Sequence, residues 1–382
     1  MKNFFQKIFL LASITTLTAC GTLFDKDNTP NPTPLKEFSA SRVAKPLWQT
    51  SVGNGAGNES GKFIPAISNN KLFTASRDGS VSAVNQETGQ VRWKINTGEP
   101  ISSGVTANHA FIFVGTHHGD VIALQQSNGQ QLWKTNIASE ILAPVAANDQ
   151  FVVVKSTDGN VTALSATTGR TVWHYQEKQP DLTLHGSSSP QIRTNAVFAG
   201  FESGVLSRLR LDNGTVLWRT TIAEPEGMFA VQRMVDIDAD PLIDNNHVYV
   251  TTWQGRLAVL NAWSGNIIWS RDASSASGIA YDGKNIYLSD EEGVVSAYNA
   301  NNGNVVWQQT QLTARNVSGP VLMGDTLLVG DGEGWLHWLN KRTGQFIARA
   351  QVSTGVQATP LVQNHIAYVY AKNGQLSAWT LH

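Results

Sequence analysis

The sequence predicts an all-β fold, an eight-bladed β-propeller of four-stranded antiparallel blades, and three regularities carry that prediction. A glycine turn recurs at Gly79, Gly119, Gly159, Gly204, Gly255, Gly293, Gly334 and Gly374, with spacings of 40, 40, 45, 51, 38, 41 and 40 residues. A tryptophan stands 14 residues after six of these glycines, at Trp93, Trp133, Trp173, Trp218, Trp269 and Trp307, just beyond a second glycine turn. Each first turn is preceded by a β-rich run, such as Phe151-Val152-Val153-Val154, and followed by an alternating one, such as Val161-Thr162-Ala163-Leu164. The fixed offset implies a fixed hairpin. Glycine supplies φ > 0 at both turns without a Cβ penalty, and the alternation gives each strand a buried face. About 40 residues with four short strands is one propeller blade. Since a lone blade cannot cover both faces of its sheet, blades stack radially, with a tryptophan filling the space between neighbours.

From the N-terminus, residues 1–19 read as a signal peptide. Lys2 and Lys7 precede an apolar run from Ile8 that is too short to span a bilayer. The run ends in Leu17-Thr18-Ala19-Cys20, which resembles the lipobox of bacterial lipoproteins and makes Cys20 the expected lipidation site. Cys20 is the only cysteine of 382 residues, so no intrachain disulfide or thiolate metal cluster is possible. Gly21 rather than aspartate follows it, which by resemblance to the enterobacterial sorting rule favours the outer membrane. Residues 20–45 read as a flexible tether, because Pro30, Pro32 and Pro34 in a polar stretch cannot donate sheet hydrogen bonds and favour extended chain. Residues 46–382 form the propeller. Their composition suits a large core: the chain is 41% hydrophobic with a net charge of -1, too apolar for disorder and too neutral for a nucleic-acid footprint.

The last two units depart from the pattern. Gly334 is followed after 14 residues by Ala348, not tryptophan, so a looser contact is expected there. The eighth unit ends at His382, before its fourth strand. Leu47-Trp48-Gln49-Thr50 resembles Leu132-Trp133-Lys134-Thr135, so the N-terminal strand is expected to complete the last blade and close the ring.

Length varies between each tryptophan and the next glycine, at 26, 26, 31, 37, 24 and 27 residues. The two longest connections follow Trp173 and Trp218, in adjacent blades and on one expected face, which makes them a candidate binding patch. The first contains Leu182, Leu184 and His185, where leucines in a polar loop suit partner anchors. The second contains Arg233, Asp236 and Asp238, whose carboxylates point the same way in extended chain and could pair with basic groups on a partner. Blander readings stand beside these: the leucines tuck under their own loop, and the aspartates cap turns or pair with Arg233. A calcium loop at Asp236-Ile237-Asp238-Ala239-Asp240 is disfavoured, since Pro241 and His247 occupy positions where an EF-hand needs Gly and Glu.

The run Ala83 to Trp93 resembles the tryptophan-docking repeat of pyrroloquinoline quinone (PQQ) dehydrogenases. The chain as a whole resembles the BamB family of outer-membrane lipoproteins, in lipobox, tether, unit number, and stretches such as Ser318-Gly319-Pro320-Val321-Leu322 and Gly330 to Trp338. That resemblance implies a scaffold of the β-barrel assembly machinery (BAM complex) that binds the periplasmic POTRA region of BamA and acts with other BAM subunits. It implies a lipid anchor at the periplasmic face of the outer membrane and assistance to unfolded outer-membrane clients, offered exposed strand edges. Leu182, Leu184, Asp236 and Asp238 fall on the family's contact segments. His185 stands where the family has arginine, which puts an ionic contact there in doubt at neutral pH. The candidate partner-binding set is thus Leu182, Leu184, His185, Arg233, Asp236 and Asp238.

The alternative is a PQQ-dependent periplasmic oxidoreductase. It requires a calcium site at the propeller centre, an aspartate base and, in one branch, a vicinal cysteine pair that this chain lacks. No phosphate-binding Gly-Lys-Ser/Thr loop or nucleophile elbow occurs, and His117-His118 falls at a repeat turn, where solvation is the simpler reading. The expectation is a non-catalytic protein with no cofactor, metal or small-molecule substrate.

Overall fold

Eight four-stranded antiparallel sheets follow one another along the chain in a computed structural model, which describes residues 30–59, 61–184, 186 and 188–382. The signal segment, Cys20 and His185 lie outside the described residues. Blade 1 comprises strands Ala66–Ser68, Lys71–Ala75, Ser80–Asn85 and Val91–Asn96, hydrogen-bonded in that order, and the pattern repeats through blade 7, which ends at Phe346–Gln351. Blade 8 takes Leu361–Gln363, Ile366–Tyr370 and Gln375–Leu381 from the C-terminus and Ala44–Ser51 from the N-terminus, with Trp48 opposite Ala378 and Ser51 opposite Gln375. Chain closure is therefore as expected.

The second and third strands of each blade are buried on both faces, because neighbouring blades pack against them; Leu72, Val81, Ala83 and Val84 in blade 1 have no measurable exposure. Outer strands instead alternate exposed and half-buried positions. Each of the seven internal outer hairpins carries a β-bulge at one place. In blade 1, Trp93 pairs with Ala83 and Val91 with Val84, leaving Arg92 extra. The bulge re-aims the tryptophan toward the next blade. Its indole Nε1 there donates to the carbonyl three residues ahead of the next outer-turn glycine: Trp93 to Gln126 O at 3.0 Å, Trp133 to Ala166 O at 3.0 Å, and Trp173 to Leu211 O at 2.7 Å. The ring lies flat on that glycine. A Cβ on Gly169 would fall 2.6 Å from Cε3 of Trp133, and its φ of +69° already excludes most side chains. Repeat length, glycine and tryptophan thus form one mechanical unit.

Ala348 replaces the tryptophan at the one boundary that has no turn to receive it, since the blade-8 outer hairpin is interrupted by the chain ends. The contact is not loose, which corrects the expectation. Trp338 is fully buried, donates to Met323 Sδ at 3.4 Å and meets Trp379 of blade 8 at 6.5 Å, while Ala348 and Ile347 are 1% and 7% exposed within the same cluster.

The expected tether also ends earlier than residue 45. From Thr33 the chain lies along blades 6 to 8. Arg315 donates to Thr33 O at 2.9 Å and Arg349 to Lys36 O at 3.1 Å. Arg349 also stacks on Phe38 and Phe346, each at 5.0 Å, and Ser41 N donates to Ile347 O at 3.1 Å. Behind these arginines, buried Asp331 accepts from Arg315 Nε at 2.7 Å and from His337 Nε2 at 2.9 Å, and His337 Nδ1 accepts from Arg349 at 3.2 Å. Burial holds the His337 pKa below its ordinary value, so the imidazole stays neutral and can both donate and accept. Proline content predicted an extended chain here. It could not show that this extended chain has carbonyls and a phenylalanine for two arginines to bind.

Candidate interaction site

In a blade whose strands run inside to outside, the turns joining the second and third strands and the connections to the next blade share one face of the ring. Two adjacent long connections therefore emerge together, residues 177–190 between blades 3 and 4 and residues 222–241 between blades 4 and 5. They are fastened to each other. Leu184 N donates to Asp236 Oδ1 at 2.8 Å and Ser189 N to Asp240 Oδ1 at 2.7 Å. Between these points Gly186 packs on Asp238, whose Cγ would lie 2.9 Å from any Cβ. Main-chain N–H groups of an unpaired loop need acceptors once covered, and the alternating carboxylates supply them. The two aspartates do project to one side, as extended chain requires, but toward the first loop.

That placement corrects the role expected of Asp236 and Asp238. They are 0% and 4% exposed and face their own protein, so neither is displayed for a partner's basic side chain. Asp236 O further accepts from Trp253 N at 2.8 Å and Ile237 N donates to Phe201 O at 3.2 Å, tying the second loop to both flanking blades. Burial, reinforced by the charge of Asp238, pushes the Asp236 carboxyl up to about 7. Burial pushes Asp238 to about 6, opposed by the ammonium groups of Lys62 and Lys155. Beneath the first loop, fully buried Lys155 pairs with Glu202 at 2.9 Å and donates to Gly200 O at 2.7 Å, while Gln179 Nε2 donates to Glu202 Oε2 at 2.8 Å. Arg219 grips Glu177 with two bonds of 2.6 and 3.1 Å, and with Tyr175 it holds that carboxyl below its ordinary range although burial opposes this. The loops thus stand on a rigid polar base.

The outer surface of the pair is mixed, with Lys178, Asp181, Glu224, Glu226 and Arg233 exposed among apolar groups. Leu182 is 42% exposed and Leu184 half-buried. The second loop carries a 3-10 turn, Ala230–Arg233, closed by Gln232 Oε1, which accepts from Met228 N at 3.1 Å and Phe229 N at 3.2 Å. Met228, Phe229 and Val231 are 87%, 65% and 56% exposed, and Arg233 is exposed without an ion pair among the described residues. Sequence reasoning missed these three apolar residues because the alternating aspartates drew the attention. The available signal was Gly227 followed by an apolar run in the longest connection.

Along the ring axis on this face lies a cavity of about 820 Å³, whose wall includes Lys62, Phe63, Asp238, Asp240, Trp253 and Tyr370. A quinone held over calcium needs converging carboxylate and amide ligands. Here Asp240 is bound by Lys62 and Ser189, Asp238 is packed under Gly186, and no group of three or more His, Cys, Asp or Glu among the described residues could hold a metal ion. These residues do not fit that cofactor. At the repeat turn, partly buried His117 contacts Glu140 and lies 3.8 Å from Glu59, and exposed His118 is 3.4 Å from Glu99.

The fold has counterparts among known proteins. The family described as "Outer membrane protein assembly factor BamB" matches residues 77–309 and 291–381. The protein of that name from Legionella pneumophila (strain Paris) is 43% identical over 356 residues, 93% of each chain. Among solved structures, BamB from Moraxella catarrhalis superposes with a TM-score of 0.81 at 25% identity, covering 88% of this chain and 100% of that one. The quinohemoprotein alcohol dehydrogenase from Comamonas testosteroni reaches 0.71 at 13% identity over 88% of this chain and 76% of its own, a likeness of fold alone.

Proposed function

This chain belongs to the BamB family of outer membrane protein assembly factors, and on that premise we propose that it is a lipid-anchored, non-catalytic accessory of the BAM complex that docks the periplasmic POTRA region of BamA. The family membership carries the role in outer-membrane protein assembly. The docking mode rests on one observation: two adjacent long connections are locked together by the Leu184–Asp236 and Ser189–Asp240 bonds and present Leu182, Met228, Phe229 and Val231 outward. Exposed apolar groups on a rigid support suit a protein contact, because their burial on binding needs little loop ordering. Asp236 and Asp238 act in this reading by holding the loops, and the leucines and the 3-10 tip make the contact. Cys20 would carry the lipid and place the ring at the periplasmic face of the outer membrane.

Recovery of BamA from detergent-solubilised membranes by the parent and by Leu184→Asp tests the docking mode. The parent is expected to bring BamA down and the variant to lose it; equal recovery would reject this face. A second contact, with unfolded outer-membrane clients, is favoured by the apolar groups exposed on outer strands, among them Leu132, Val172, Leu217 and Ile268. Such edges can accept an added strand. An unfolded porin that fails to crosslink to these strands would remove that contact.

A further inference from the structure

The second loop does not stop at its neighbour. Its stretch from Met234 to Ala239 is buried and turns inward to the axial mouth, where it meets a side chain from a distant part of the ring. Lys62 lies in the connection that enters blade 1, and its main chain is fixed on the side of blades 2 and 3: Lys62 N donates to Leu142 O at 2.9 Å, and Lys62 O accepts from Gly104 N. From that root the side chain reaches the second loop. Its ammonium donates to the Asp238 carbonyl and to Asp240 Oδ1, the latter at 2.8 Å. Asp240 Oδ1 in turn accepts from Ser189 N of the first loop at 2.7 Å.

We propose that Lys62 is a positioning residue for the recognition loops, clamping the second loop at Asp238 and Asp240 and, through Asp240, setting the first loop at Ser189. The inference rests on the docking reading above for its consequence, but not for its mechanism. Three physical features support it. The lysine's root is immobilised by two main-chain bonds, so the ammonium is delivered to one place rather than ranging over the surface. Both acceptors sit in the same stretch of the second loop, and a bond to a charged donor is stronger than a neutral one. The pair is also largely covered, with side chains 23% and 32% exposed, so solvent weakens it less than a surface pair.

A link from a separate connection has a particular value here. Connections 177–190 and 222–241 are long, and their bonds to blades 4 and 5 hold the second loop only where it leaves and enters the ring. The Lys62 ammonium adds an attachment from the connection that enters blade 1. The same contact makes Lys62 unavailable to an anionic ligand in the cavity, since two protein oxygens already hold its ammonium.

Hydrogen exchange on the free full-length protein reads the mechanism directly. Lys62→Met keeps the aliphatic stem and removes the ammonium. It is expected to speed exchange of the Ser189 amide by about tenfold, the scale of one charge-assisted bond, while the Leu184 amide, held by Asp236, changes less and the blade-core amides of Val153 and Leu164 do not change. Asp240→Asn, which breaks the same pair from its other end, should expose Ser189 likewise, and Lys62→Arg should restore protection. Unchanged Ser189 exchange in Lys62→Met would overturn the proposal, as would a uniform rise across all blades, which would mean general destabilisation. Recovery of BamA by the same variants separates the two readings: lost protection with lost recovery supports both, whereas lost protection with full recovery keeps the clamp and rejects docking through these loops.

Discussion

Replacing Asp236 by asparagine should remove a measurable part of the protein's pH dependence. The wild-type carboxyl has its ordinary value of 3.8 when the chain is unfolded and is pushed up to about 7 in the fold, first by burial and then by Asp238 and Glu202. The folded state therefore binds the proton more tightly. The stabilisation from this group is fully present below pH 4 and is lost as the pH rises through 7. Linkage over that interval gives about 2.6 kcal/mol lost between pH 5 and pH 8, and relaxation of the loops around the ionised form brings this to about 1–2 kcal/mol. Asparagine keeps an oxygen toward Leu184 N but cannot ionise. Any cost of its extra N–H group is the same at both pH values and cancels in the comparison. The assay is urea unfolding of both proteins at pH 5 and pH 8. The wild type is expected to lose about 1–2 kcal/mol more than the variant on going to pH 8; parallel losses in the two proteins would refute the assignment of a buried, proton-binding carboxylate to this position.

Other outcomes follow from the same coordinates. Trp133→Ala removes a ring that rests on Gly169 and an N–H bonded to Ala166 O, and should cost about 3–5 kcal/mol in unfolding free energy, by far more than Leu132→Ala on the exposed side of the same strand. Gly169→Ala attacks that joint from the other blade, with a Cβ 2.6 Å from the ring and a positive φ, and should cost about 2–4 kcal/mol by the same measurement. Arg349→Ala should free residues 33–41 from blade 7, seen as faster proteolysis there with little change in the thermal midpoint of the blades. Phe229→Asp, on a tip that is 65% exposed, should leave stability within about 0.5 kcal/mol of the parent and still abolish recovery of BamA.

The repeat was legible because it is local. Gly169, Trp133 and the 14-residue offset belong to a hairpin that is the same in each blade, and the closure by Trp48 followed from a missing strand at one end and a surplus one at the other. Neighbouring long connections were legible as length. What stayed hidden depended on which residues meet across large separations. Nothing near Asp236 announces that Leu184, 52 residues away, supplies its donor, so an alternating acidic run looked like a displayed surface when it is an internal brace. Lys62 and Asp240, 178 residues apart, are joined only by the curvature of the ring. Ala348 looked like a defect, yet it sits where the chain ends leave no turn for a tryptophan to receive. The segment from Thr33 read as tether because proline forbids sheet pairing, and sheet pairing was the only attachment the sequence could be asked about.

Site-specific photocrosslinking tests the central claim most directly. A photoreactive amino acid placed in turn at Leu182, Phe229 and Trp263 samples both faces of the ring, since Trp263 is 69% exposed at a turn joining third and fourth strands and so lies on the opposite side. Crosslinks to the periplasmic region of BamA from positions 182 and 229, with none from 263, are the predicted result. Crosslinks from 263 alone would contradict the account.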